Sequence, residues 1–110
     1  MDDLRSVFRR NIPEEKNIRM LARGGDEVLG AVLDINQKGF RLDNEARFKP
    51  GAMLEGLIEF SDGGALPRQI PITAQAVWNE GGETGFTIKE IPLAEEDTLD
   101  RLIAIAEGRG

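Results

Sequence analysis

Neither cysteine nor histidine occurs anywhere in the 110 residues of this chain. Their absence removes thiol and imidazole nucleophiles, the Ser-His-Asp arrangement, and zinc or haem held through those side chains. Catalysis would have to rest on carboxylates, Lys, Ser or Thr, and no pair of these has a spacing that implies convergence, so neither an enzyme nor a metal site is expected. No apolar run approaches the roughly 20 residues that a spanning helix needs, so no membrane insertion is expected. The start Met1-Asp2-Asp3-Leu4-Arg5 lacks the basic head and apolar stretch of a signal peptide, from which a cytoplasmic location is expected. Internal repeats and low-complexity tracts are absent too.

What is present fits one compact domain, with 40% hydrophobic and 31% charged residues. A chain of this length buries roughly 60 to 70% of its unfolded surface without disulfides or metals. The formal charge of −6 argues against DNA or RNA as a partner, because backbone phosphates call for a basic face. The charge is unevenly spread. Residues 1–23 hold six Lys/Arg against four Asp/Glu, whereas 24–110 hold eight against sixteen. A small anion can therefore be met by a locally basic arm.

Residues 1–16, with Pro13 and the Glu14-Glu15-Lys16 cluster, show no sustained apolar period and read as an N-terminal arm, mobile without a ligand. Residues 17–110 read as the folded unit. From Asn17 to Ala22 and from Val28 to Ile35 the pattern is extended, with a Gly24-Gly25-Asp26 turn between, as in a hairpin. The two-residue period places Leu29, Ala31, Leu33 and Ile35 on one face of the second strand, and Val28, Gly30, Val32 and Asp34 on the other. With Leu33 and Ile35 inward, Asp34 and Asn36 point away from the core. A short strand follows at Gly39–Leu42, then alternations at Met53–Phe60 and Gln69–Trp78, the last the longest, with Ile70, Ile72, Ala74, Ala76 and Trp78 on one side. Pro71 hints at an edge or strand start. Gly85–Ile88 returns as a strand with Phe86 and Ile88 inward. After Pro92 the period changes to that of an amphipathic helix, with Leu99, Leu102, Ile103 and Ala106 on its stripe, Glu95, Glu96 and Asp97 near its start, and Gly108 as its stop. The sum is an all-β chain: six antiparallel strands in a closed or nearly closed sheet, with a C-terminal helix.

Two pieces carry the chemistry. Arg5 and Arg9 offer planar cationic forks, and 25 positions beyond Arg9 begins the strand-ending hexapeptide Asp34-Ile35-Asn36-Gln37-Lys38-Gly39. A carboxylate, an amide and a glycine beside guanidinium forks suit an anionic ligand rich in guanine edges. Each piece also has a plainer reading: solvated arginines in a polar tail, and a strand end whose Asp34 and Asn36 cap local backbone groups. Trp78 and Phe86 read as core residues rather than stacking platforms, and Glu95-Glu96-Asp97 as a helix-start charge cluster. A calcium loop over 34–45 would put Asp34, Asn36, Gly39 and Glu45 at its first, third, sixth and twelfth positions. Its fifth position is Lys38, a cation where an oxygen is needed, and its flanks read as strands.

The motif order resembles that of the PilZ domain, a bacterial receptor module for the second messenger cyclic di-GMP, whose members carry an Arg-x-x-x-Arg arm and an Asp/Asn-x-Ser-x-x-Gly signature. Arg5-Ser6-Val7-Phe8-Arg9 matches the arm. Asp34-Ile35-Asn36-Gln37-Lys38-Gly39 matches the signature except that Asn36 stands where Ser is usual, which keeps polarity and changes reach. Ala76-Val77-Trp78 and Gly85-Phe86-Thr87-Ile88 look like the family's late strand pair. The resemblance implies a six-stranded antiparallel β-barrel with a terminal helix, and a binding module rather than an enzyme. It implies cyclic di-GMP as ligand, no cofactor, and a protein partner in motility, exopolysaccharide or virulence control. Arg5 and Arg9 are then expected on guanine edges and phosphates, with Arg10 as a third cation and the arm over residues 1–12 ordered by the ligand. Asp34 is expected on the donor-bearing side of a guanine, Asn36 as donor and acceptor, and Gly39 at a positive φ that permits close approach. A module that has lost the ligand and serves protein interaction alone is the alternative.

Overall fold

The computed structural model describes residues 12, 16–44 and 48–108. The arginines expected to form the clamp, Arg5, Arg9 and Arg10, lie outside the described residues, as does most of the arm. The strands are β1 (Arg19–Ala22), β2 (Val28–Ile35), β3 (Gly39–Asp43), β4 (Met53–Phe60), β5 (Arg68–Glu80) and β6 (Glu83–Glu90). A turn of 3-10 helix at Leu93–Glu95 leads into the helix α1 (Glu96–Ala106). All neighbouring strands are antiparallel, and the order β1-β2-β3-β6-β5-β4 closes on itself through β1 and β4. The expected six-stranded antiparallel barrel with a C-terminal helix is therefore observed. Closure leaves none of the described strands with an open edge to template aggregation.

Alternation explains most of the interior. In β4 the buried positions are Leu54, Gly56, Ile58 and Phe60, and in the first part of β5 they are Ile70, Ile72, Ala74 and Ala76. Phe40 of β3 stacks on Phe86 of β6 with ring centroids 5.0 Å apart, and Phe48 meets Phe86 edge-on at 5.3 Å. Offset or edge-to-face aromatic contacts of this kind add to the area they bury. The apolar stripe of α1, Leu99, Leu102, Ile103 and Ala106, is buried in the same cluster. Gly108 ends the helix at φ 82°, and its N–H donates to the Ile105 carbonyl. Pro71 sits inside β5 opposite Leu57 of β4, but β6 begins to pair only at Thr73, so the missing N–H falls where β5 has no β6 partner.

Two expected faces are corrected by β-bulges, which place an extra residue on one strand and flip the alternation beyond it. In β2 the pairing with β3 shifts between Val32 and Asp34. Val32 and Ile35 both enter the core while Ala31 is exposed, so the four-residue face Leu29, Ala31, Leu33, Ile35 does not exist as one face. In β5 the pairing with β6 shifts between Ala76 and Trp78. Trp78, expected in the core with Ala76, is instead turned to the outer face and is absent from the core cluster.

Candidate functional site

The bulges align four outward positions across four strands. Asp34 of β2 pairs with Arg41 of β3, Arg41 with Gly85 of β6, and Gly85 with Trp78 of β5. That these share a face follows from their neighbours, since Phe40, Leu42, Thr84 and Phe86 on either side all point inward and are buried. The indole of Trp78 lies directly over Gly85: a Cβ built there would fall 2.2 Å from Trp78 Nε1. Glycine is thus required for the tryptophan to lie flat on the wall.

Asp34 points away from the core as expected, yet only 2% of it is exposed. The Arg41 guanidinium lies against its Oδ2, and Arg41 also reaches Glu83 Oε1 at 3.4 Å. Arg41 thus engages Oδ2 as an ion pair, whereas Oδ1 receives no hydrogen bond among the described residues. Burial pushes the Asp34 carboxyl up to about 7; Arg41 opposes this and the Glu83 carboxylate adds to it. A buried carboxylate with an open acceptor position is costly by itself.

Asn36 and Gly39 are held differently. The Asn36 side-chain oxygen accepts from the backbone N–H of Lys38 at 2.7 Å and of Gly39 at 3.0 Å, the local capping that a strand-ending Asn favours. Its amide nitrogen makes no hydrogen bond among the described residues and is left as the outward donor. Gly39 does not take the positive φ expected of it. It is the buried first residue of β3, paired with Thr87, because the Asn36 side chain and the Asn36 N–H to Gly39 carbonyl bond of 2.9 Å already close the turn. The flanks of 34–45 are the strands β2 and β3, not the helices of a calcium loop. The turn is also anchored outward: Lys38 carbonyl accepts from Ile88 N–H at 2.8 Å, and Gln37 Nε2 donates to Asp100 Oδ1 of α1 at 3.0 Å.

The arm joins the barrel beside this group. Ile12 N–H donates to the carbonyl of Leu33, the residue before Asp34, at 2.6 Å. Sequence reasoning missed Arg41, Glu83 and Trp78. The outward alternation of Phe40-Arg41-Leu42 was a usable signal for Arg41; nothing local announced the bulge that turns Trp78 outward.

No described helix is long and apolar enough to cross a membrane. A search of the curated proteins finds no match to this chain. A family model described as PilZ domain matches residues 4–104. Domains of that family are in general cyclic di-GMP-binding adaptors rather than enzymes. The match spans nearly the whole chain and agrees with the closed six-stranded barrel and terminal helix, and the chain therefore belongs to the PilZ domain family.

Proposed function

We propose that this chain is a cytoplasmic receptor for cyclic di-GMP, in which the arm over residues 1–16 folds its arginines onto the outer wall of the barrel formed by residues 17–110. The observation that carries the reading is Asp34: a buried carboxylate, ion-paired through Oδ2 with Arg41 and with Oδ1 left without a hydrogen bond among the described residues, one residue from the point where the arm is tied to the barrel. Arg9 lies three residues before Ile12, within about 10 Å of that tether along an extended chain, and Arg5 within about 25 Å. In this reading Asp34 accepts the ring and exocyclic N–H groups of a guanine. Arg5 and Arg9 fork onto guanine oxygen and nitrogen acceptors and the phosphates, and Arg10 supplies a third cation. The Asn36 amide donates from the turn, Gly39 keeps the turn close to the ligand, and Trp78 borders the site with a flat apolar ring. A ligand-borne change in the arm is then passed to a protein partner.

Calorimetric titration with cyclic di-GMP tests this directly. Micromolar or tighter binding is expected, weakened at least tenfold in both Arg9→Ala and Asp34→Ala with folding retained. The single tryptophan, Trp78, provides an independent optical signal, and its emission should change on saturation. Tight binding that neither substitution alters would refute the assignment.

A further inference from the structure

The opposite half of the barrel carries a second outward row. Leu21 of β1 pairs with Val28 of β2 on one side and with Leu57 of β4 on the other, and Leu57 pairs with Pro71 of β5. The outward sense of Leu57 is set by its inward neighbours Gly56 and Ile58. Leu21 is buried but does not belong to the core cluster, as expected of an apolar side chain packed on the outside of the wall. Two residues of this row, Leu57 and Pro71, meet the segment Ile91-Pro92 at a common groove. The groove has a volume of about 470 Å³, and its apolar lining is Leu57, Pro71, Ile72, Ile91 and Pro92. Beyond Pro92, Leu93 stands 81% exposed. Adjacent apolar residues left at a surface mark interaction sites more than singly scattered ones do.

The charges around the groove select its occupant. Arg23 and Glu55 on the rim pair with each other at 2.5 Å, which leaves Glu90 as the other charged lining residue. The exposed acids Glu96 and Asp97 follow Leu93 at the start of α1. We infer that this groove docks an extended segment of a partner protein bearing one or two apolar side chains flanked by Lys or Arg. The volume accommodates such side chains, and a basic flank complements Glu90 and the acidic start of α1. None of the groove's lining residues belongs to the Asp34–Arg41–Gly85–Trp78 row, so the partner's chemistry does not depend on the dinucleotide.

The test uses the full chain labelled with 15N and a capped pentapeptide of alternating lysine and leucine. One control peptide carries serine in place of leucine and another glutamate in place of lysine. The lysine–leucine peptide should shift the amides of Leu57, Ile72, Thr73 and Ile91, and both controls should bind at least tenfold more weakly. Glu90→Lys should weaken the lysine–leucine peptide about fivefold, strengthen the glutamate–leucine one, and leave cyclic di-GMP binding unchanged. Equal binding of the serine peptide, shifts clustered elsewhere, or sedimentation showing the groove closed by a second copy of the chain would each overturn the inference. Loss of dinucleotide binding with peptide shifts intact would sink the receptor reading alone.

Discussion

Asp34 concentrates the energetic tension of the site. Its carboxyl is raised from the ordinary aspartate range to about 7, chiefly by burial. In the unfolded chain the group ionises near 4, so between about pH 4 and 7 the folded protein holds more protons than the unfolded one, and stability falls as pH rises through that window. The contribution lost is on the order of a few kcal/mol at most. Thermal melts of the free protein should therefore show Asp34→Asn removing part of the decline in Tm between pH 5 and 7.5. In the proposed receptor reading, the ligand reverses the preference. An acceptor for guanine N–H groups must be ionised, so the affinity for cyclic di-GMP should drop as pH falls below about 7, with proton release on binding that calorimetry in buffers of different ionisation enthalpy would register. That Asp34 and Asn36 face outward was legible from the residues; that Asp34 is buried was not, because Arg41 and Glu83 come from other strands.

At the level of the strand and the helix, bulges decide which side chains reach the candidate site. The shift in β2 sends Val32 and Ile35 inward around an outward Asp34, and the shift in β5 brings Trp78 over Gly85. The pairing of those two residues makes a direct test. Gly85→Ala would drive the indole off the wall, since the added Cβ meets ring atoms at 2.2 and 2.3 Å. A loss of about 1–3 kcal/mol in denaturant unfolding is expected, with red-shifted tryptophan emission, and unchanged emission would mean that the ring does not lie as described. The helix α1 was readable in advance because its stripe is regular and uninterrupted. A bulge leaves no comparable trace, being a property of how two strands oppose each other rather than of either one.

For the molecule as a whole, the closed barrel separates two outer faces, the Asp34–Arg41–Gly85–Trp78 row and the apolar row ending at Pro71, around one shared core. Core integrity should therefore affect both. Phe40 is fully buried and stacked on Phe86, so Phe40→Ala should cost about 3–5 kcal/mol, read as a lower midpoint in urea with the slope retained. A midpoint unchanged from the parent protein would contradict the packing.

The sequence by itself determined the number and order of the elements, the turns between them, the helical stripe and the motif that signals the family, because each is written in local periodicity and in residue types a few positions apart. Only the tertiary structure decided which outward residues meet. Arg41 beside Asp34, Trp78 over Gly85, and Leu21 against Leu57 and Val28 depend on register across strands. Closure and bulges set that register, and no single strand encodes it.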